Sequence, residues 1–161
     1  MGARAQSELY QSTKMKVNLL TVGRLKEKYL VDAVNEYLKR LKPFASVEIR
    51  EVPEQKTIED EGERLLSLIP KDSWVCVLDV GGKELSSEEF ASKLETLMVE
   101  GKSQWTFIIG GAFGISERLR STADFRLSLS KMTFTHQMTR VILVEQIYRA
   151  FKIIRGEKYH W

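Results

Sequence analysis

Apolar residues follow two kinds of pattern along the chain, and together these predict an alternation of strands and helices. Residues 16–22, 74–79 and 105–109 are nearly continuous apolar runs, which are typical of strands covered on both faces of a sheet. Residues 47–52 alternate with period two, which predicts a strand with one solvated face near the sheet edge. A short run at 125–129 predicts the last strand.

Between the strands, apolar residues recur at intervals of three and four, as on the buried face of a helix. This spacing predicts helices over residues 29–41, 57–69, 116–123 and about 138–154. Ser86 and Glu89 form a capping-box sequence, so another helix is predicted to start there and to carry Phe90, Leu94 and Leu97 on one face. Strands that alternate with helices predict an α/β fold with a mainly parallel sheet and helices on both faces.

The final helix is apolar on nearly every side. Its clean polar strip consists only of Glu145, Arg149 and Lys152, whereas Ile142 and Ile153 lie well away from the main apolar arc. One sheet cannot cover both apolar sides, so we expect a second subunit to bury the other side around a two-fold axis. The alternative is a helix that is central within a monomer.

Length and composition indicate one compact globular domain. The chain has 161 residues, of which 43% are hydrophobic and 29% charged. Residues 1–14 are polar without periodicity and are interpreted as a leader or a disordered arm, which leaves 15–161 as the single domain. No apolar run is long enough for a membrane span and no signal peptide opens the chain, so a cytoplasmic protein is expected.

Charge and metal-binding residue types narrow the function classes. The net charge of +3 is small, but basic residues gather near the C-terminus, where they suit a polyanion or simply form a solvated helix face. The single Cys76 lies in an apolar run and is predicted to be buried and inert. His136 and His160 are the only imidazoles, and no zinc or calcium motif is present, so no metal site is predicted.

Three loops follow apolar strands at residues 79–83, 110–114 and 130–137. Because the carboxyl ends of parallel strands share one sheet edge, these loops are predicted to converge on a ligand crevice. Gly110 and Gly111 would let the backbone lie against a flat ligand such as adenine or ribose, although a tight turn alone also explains them. The chain lacks a GxGxxG fingerprint, a phosphate loop and a GxSxG elbow, which argues against nicotinamide, P-loop and serine-hydrolase chemistry.

Two segments of the chain carry the histidines. His136 stands at the entry to the last helix, where either a capping or loop-ordering role or a site role is open. The C-terminus at 156–161 is aromatic and basic and contains His160. Such a tail can stack on unpaired RNA bases, or it can be a frayed end.

Four segments in order resemble the ribosomal RNA large subunit methyltransferase H family, a group of small SPOUT-type methyltransferases. They are LDVGGKELSSEEFA at 78–91, FIIGGAFG at 107–114, SLSKMTFTHQMTRVILVEQIYRAFKII at 128–154, and the terminal Tyr159-His160. The resemblance spans 15–161. It implies a C-terminal trefoil knot and a homodimer. It further implies methyl transfer from S-adenosylmethionine to N3 of the pseudouridine at position 1915 of 23S rRNA in the assembled ribosome.

The resemblance also implies which residues form the site. Cofactor contacts would come from the three loops, at Leu78, Gly110, Gly111, Ser130, Lys131, Met132, Thr133, Phe134 and Thr135. Tyr159, His160 and Arg140 would bind the target base or transfer its proton, with the tail reaching the partner subunit's cofactor, and His136 would order the cofactor loop.

The chain departs from the family pattern at three positions. Lys158 and Thr135 stand where proline is usual, and Trp161 closes the chain in place of a basic residue. Without those prolines the tail and the loop are expected to be less pre-ordered. Two other functions compete with the enzyme: a non-catalytic RNA-binding or ribosome-associated dimer, and a small-nucleotide-binding regulator.

Overall fold

A computed structural model of the protein describes residues 14–158. The predicted leader, except Lys14, and the tail residues Tyr159, His160 and Trp161 lie outside the described residues. The elements in chain order are β1 (Met15–Val22), α1 (Lys28–Leu41), β2 (Ala45–Val52), α2 (Ile58–Ser67), β3 (Trp74–Glu84), α3 (Ser87–Val99), β4 (Gln104–Ile109), α4 (Glu117–Thr122), β5 (Phe125–Ser128) and α5 (His136–Ile154).

All the strand pairs of the sheet are parallel, and its strand order is β2-β1-β4-β3-β5. Strand β4 is thus inserted between β1 and β3, and its residues Trp105, Phe107 and Ile108 are fully buried. Strand β2 lies at one edge, as its alternating pattern predicted. The carboxyl ends of all the strands therefore lie along one edge of the sheet.

Two apolar layers cover the two faces of the sheet. On one face α1, α3 and α5 pack over a core that includes Leu19, Phe107 and Ile147. On the other face α2 and α4 pack over a smaller core that includes Leu65 and Ile108. The predicted α/β architecture with helices on both faces is confirmed.

Strand β3 is longer than its apolar run predicted. After Leu78 its pairing with β5 shifts register, so that Leu127 faces both Leu78 and Lys83, and the residues between them loop out. Gly82 permits this because a Cβ there would lie 2.6 Å from the carbonyl oxygen of Arg126. The predicted turn after Asp79 is therefore a bulge within a strand that continues to Glu84.

Helix α5 lies between α1 and α3 and forms the largest part of one core. It starts at His136, earlier than predicted, because the Thr135 hydroxyl accepts a hydrogen bond from the Met138 amide and caps the helix. Its residues Leu143, Val144, Ile147, Ala150 and Phe151 are buried. Within residues 14–158, no helix combines the length and apolarity needed to cross a bilayer.

Candidate functional site

A cavity of about 780 Å³ opens at the carboxyl edge of the sheet. This volume lies within the range typical of small-molecule sites. Its walls come from the start of α1, the end of the apolar part of β3, the loop after β4, and the loop from β5 into α5. The lining includes Glu27, Tyr29, Leu30, Leu78, Asp79, Val80, Ile109, Gly110, Gly111, Ala112, Gly114, Ile115, Arg120, Leu127, Ser128, Leu129, Ser130, Met132, Thr133, Phe134, Thr135 and His136.

The structure brings the three loops singled out from the sequence around this one cavity. Every cofactor residue implied by the resemblance lines it except Lys131, whose side chain is exposed. Arg140 does not line it either. The binding roles of the individual residues stay predictions, but their proximity makes a shared ligand geometrically feasible.

The glycine loop after β4 requires glycine for its own folding. A Cβ on Gly110 would lie 2.5 Å from the carbonyl oxygen of Gly114 and 2.6 Å from Cδ1 of Ile115. The Gly114 amide donates a hydrogen bond to the Gly111 carbonyl at 3.1 Å, and Gly114 has a φ of +99°. The loop therefore folds back on itself, which leaves the backbone of Gly110 and Gly111 at the cavity wall.

Hydroxyl groups hold the loop between β5 and α5. The Ser128 hydroxyl donates to the Ser130 carbonyl at 3.0 Å, and the Ser130 hydroxyl accepts from the Met132 amide at 3.0 Å. Thr135 provides the helix cap, so His136 is not the capping residue. His136 is half-buried in the first turn of α5, where it lines the cavity and faces Gly23 in the loop after β1.

Asp79 binds two arginines at the edge of the cavity. Its Oδ2 accepts from Nε of Arg120 at 3.0 Å and from the guanidinium of Arg126 at 3.3 Å, while Oδ1 accepts from the Gly81 amide. Burial alone would raise the pKa of Asp79, but the Gly81 hydrogen bond and the two guanidinium groups outweigh it and hold this pKa below its ordinary value. Asp79 is thus an ionised anchor that fixes two cations, and a poor proton acceptor.

Arg140 lies inside the protein, where it joins α5 to the edge strand β2. Its guanidinium donates to Oε2 of Glu51 at 2.7 Å and to the Gly23 carbonyl at 3.2 Å. The side chain is only 3% exposed. These contacts make Arg140 a link between α5, β2 and the loop after β1.

Glu61, in the first turn of α2, is a buried carboxylate. Its Oε2 accepts from the Gln55 amide at 3.1 Å, while Oε1 has no hydrogen-bond partner among residues 14–158. Oε1 points at the glycine loop, since a Cβ on Gly111 would lie 3.3 Å from it. Glu61 therefore packs directly behind one wall of the cavity.

Comparison with known proteins places the chain in a family. The family model described as "Predicted SPOUT methyltransferase" matches residues 15–160. A protein of Halothermothrix orenii named "Ribosomal RNA large subunit methyltransferase H" is 50% identical over 158 residues, which cover 91% of this chain and 99% of that protein. A protein of the same name from Enterococcus faecalis is 46% identical over 158 residues, with the same coverage of both chains.

A solved structure resembles the fold at much lower sequence identity. It is that of a probable methylase family protein from Haemophilus influenzae, with a TM-score of 0.51 and 11% identity, covering 92% of this chain and 71% of the other. This likeness concerns the fold alone. The family match over nearly the whole described chain, together with relatives about half identical to it, shows that the chain belongs to the ribosomal RNA large subunit methyltransferase H family of SPOUT methyltransferases.

Proposed function

We propose that this protein transfers the methyl group of S-adenosylmethionine to N3 of a pseudouridine in 23S rRNA within the assembled ribosome. The observation that carries the proposal is the cavity that three loops form together at the carboxyl edge of the sheet, in a chain of a methyltransferase family. The names of the relatives support a large-subunit ribosomal RNA as the substrate.

The residues around the cavity fit the chemistry of an adenosyl compound. Leu78, Ile109 and Leu127 supply apolar surface suited to an adenine ring. The backbone of Gly110 and the hydroxyl groups of the loop after β5 supply polar groups suited to ribose and to the amino-acid end of the cofactor. This mixture of apolar walls and a few polar groups is characteristic of cofactor sites.

The chemistry divides between the cofactor and the chain. The positively charged sulfonium of S-adenosylmethionine supplies an already activated methyl group. The cavity residues must align that group with N3 of the base, exclude water, and leave a route for the N3 proton, because a nitrogen–carbon bond forms while an N–H bond is lost. Since Asp79 holds two arginines, we propose that the proton acceptor comes from the tail pair Tyr159 and His160, outside the described residues.

Three further residues receive specific proposed roles. His136 orders the start of α5 against the loop after β1, in keeping with its half-buried position near Gly23. Arg140 acts as a positioning residue through Glu51 and Gly23. Lys131 keeps its proposed role as a cofactor contact, with an exposed side chain on the loop that borders the cavity.

We also propose that the protein is a cytoplasmic homodimer with a C-terminal trefoil knot, in which each tail reaches the partner subunit's cofactor. The path of the chain supports a crossing, because it leaves the edge strand β5 and returns across the sheet to place α5 between α1 and α3. The half-buried Ile142 supports an intermolecular contact on the outer side of α5.

The decisive experiment measures methyl transfer from labelled S-adenosylmethionine to whole ribosomes, separated subunits and naked rRNA. We expect label in 23S rRNA of whole ribosomes, at a single pseudouridine after nuclease mapping. Calorimetry with S-adenosylmethionine, together with an RNA-binding measurement, distinguishes the two alternative functions from the enzyme. Binding of the compound without transfer to any RNA would establish a nucleotide-binding regulator, and RNA binding without cofactor binding would establish a non-catalytic RNA-binding dimer.

A further inference from the structure

Exposed apolar side chains gather around the mouth of the cavity. Most of the large hydrophobic side chains that are exposed within residues 14–158 lie on the segments that border it, namely Tyr29, Val80, Phe113, Met132, Phe134 and Met138. Val99 is the exception, at the end of α3. Exposed apolar side chains that gather in one place are a common feature of interaction sites, so the rim of this cavity is the surface to examine for a partner.

Tyr29 lies on a rim segment whose backbone is held by several hydrogen bonds. The preceding loop is fixed by the Leu25 amide, which donates to Glu51 at 3.2 Å, and by the Gly23 carbonyl, which accepts from Arg140. The next residue, Leu30, is buried. Tyr29 nevertheless keeps 66% of its surface exposed. A rigid segment thus presents an aromatic ring to solvent, which lowers the entropy that a ligand must remove.

The charges beside Tyr29 indicate the kind of ligand. Arg24 and Lys26 are exposed, and neither forms an ion pair with a described residue. Lys28 is paired with Asp32, and Glu27 offsets one positive charge of the segment. Free cations next to an exposed ring match a polyanion that carries flat bases better than they match an apolar protein surface.

We propose that Tyr29, Arg24 and Lys26 form a subsite for single-stranded RNA next to the cavity. The ring of Tyr29 stacks on an unpaired base that flanks the target nucleotide, and the two cations contact adjacent phosphates. Because Tyr29 lines the same cavity as Gly110, the stacked base lies at the mouth of the proposed cofactor site. This inference rests on the proposed function and names the residues that bind its RNA substrate.

The test compares Tyr29→Ala, Tyr29→Phe and the double variant Arg24→Gln/Lys26→Gln in the full-length protein. Methyl transfer to whole ribosomes is measured at saturating S-adenosylmethionine. Loss of one base stack corresponds to a rise of about 5- to 150-fold in the KM for ribosomes in Tyr29→Ala. Tyr29→Phe should stay near wild type, because stacking needs the ring and not the hydroxyl.

The charge variant provides an independent readout. Arg24→Gln/Lys26→Gln should raise the KM for ribosomes and reduce the slope of log affinity against log salt concentration by about 0.7 for each phosphate that the variant no longer neutralises. Lys39→Gln, at the other end of α1, and Val99→Ala are the matched controls, since both residues are exposed and far from the cavity. Both controls should leave the KM and the salt slope unchanged.

Three results would overturn the inference. One is an unchanged KM for ribosomes in Tyr29→Ala. Another is a loss of S-adenosylmethionine affinity in Tyr29→Ala, measured by calorimetry, that is as large as the rise in its KM for ribosomes. That result would make Tyr29 part of the cofactor site. The third is a change of oligomeric state in sedimentation velocity, which would make the rim a subunit contact.

Failure of the proposed function gives a different result. If the wild type transfers no methyl group to ribosomes, the subsite is measured by fluorescence anisotropy with a short fluorescein-labelled single-stranded RNA. Weaker binding by Tyr29→Ala, but not by Tyr29→Phe, would support the subsite without the activity. Equal binding by all three proteins would rule it out.

Discussion

Gly110 shows how a single missing Cβ shapes the site. In Gly110→Ala the new methyl group would meet the Gly114 carbonyl oxygen at 2.5 Å, so the loop must move. We expect a loss of about 1–3 kcal/mol in the free energy of unfolding, the usual range for overpacking. The thermal shift produced by S-adenosylmethionine should also disappear. Urea denaturation and thermal unfolding measure the two effects.

Gly81→Ala is the matched control for this substitution. Its nearest neighbour would be the Asp79 carboxylate at 3.7 Å, an ordinary contact. A glycine replaced at a compatible position is neutral or gains up to about 1 kcal/mol through the unfolded state. Equal destabilisation by the two variants would show that the tight turn at Gly110 is not what holds the loop.

Asp79 gives a pH dependence whose direction follows from its contacts. Its pKa is depressed in the folded state, so its contribution to stability is fully present above the ordinary aspartate pKa of about 4. That contribution is lost as the pH falls from there through the folded-state value. Urea denaturation at a series of pH values should show Asp79→Asn to be less stable at neutral pH and less sensitive to acid than the wild type.

Glu117→Gln controls for a general effect of removing a carboxylate near Arg120. Glu117 is 88% exposed and approaches the Arg120 guanidinium only at 3.5 Å, so its removal should leave the acid limb of the stability curve unchanged. If Glu117→Gln flattened that limb as much as Asp79→Asn, the acid dependence would not arise from the contacts of Asp79 with Arg120 and Arg126.

Among the secondary-structure elements, α5 is joined to β2 through Arg140 and Glu51. A double-mutant cycle with Arg140→Met and Glu51→Gln should give a coupling of about 1–3 kcal/mol in unfolding free energy. The value should fall below that of a fully buried pair, since Glu51 is 35% exposed. Arg140→Lys should rescue only part of the loss, because one ammonium group cannot match the geometry of the guanidinium fork.

The same cycle separates a positioning role from a catalytic one. If Arg140 is a positioning residue, Arg140→Met lowers the free energy of unfolding, and the cycle gives a coupling energy between Arg140 and Glu51. If Arg140→Met instead lowered kcat, left the unfolding free energy unchanged and showed no coupling, Arg140 would act on the reacting atoms and the contacts with Glu51 and Gly23 would be incidental.

Most elements could be predicted from sequence because their signals are local. The apolar runs of β1 and β4, the capping box of α3 and the spacing within α1 each lie within one segment. The extension of β3 could not be predicted, since it depends on the close approach of the Gly82 backbone to the carbonyl oxygen of Arg126 in β5. Strand pairing after a bulge is a tertiary property.

The site was predictable in position but not in its charge contacts. Parallel strands bring their carboxyl ends together, so three loops sufficed to locate the cavity. The cluster of Asp79, Arg120 and Arg126 joins residues more than 40 positions apart, and no sequence spacing reveals it.

Two buried charged residues had a usable signal in the sequence. Glu61 lies four residues before the buried Leu65, and Arg140 four before the buried Val144, so each occupies the apolar face of its helix. Helical position outweighs residue type in deciding which side chains turn inward. The spacing of apolar residues thus predicts that both side chains lie inside the protein.

At the scale of the whole molecule, we predict a homodimer because the outer side of α5 carries an apolar residue outside the monomer core. Ile153 packs against the core of the monomer. Ile142 is half-buried but does not pack against that core. Sedimentation velocity should give twice the chain mass of 18.6 kDa. Ile142→Glu should give a folded monomer, because a carboxylate buried at the contact has no partner. Val99→Glu, at the exposed last residue of α3, should leave the dimer intact, and a dimeric Ile142→Glu would place the contact elsewhere.

Mixing two inactive variants tests whether the tail of one subunit acts in the cavity of the other. Thr133→Trp should fill the cavity, since Thr133 lines it and is otherwise exposed, while His160→Ala should disable the tail. Neither protein should methylate ribosomes alone. If the tail serves the partner subunit's cavity, a mixed dimer contains one complete site, so an equilibrated equal mixture should regain roughly a quarter of wild-type activity by random pairing of subunits. A tail that served its own chain would restore nothing, because each chain would carry one damaged half of its own site.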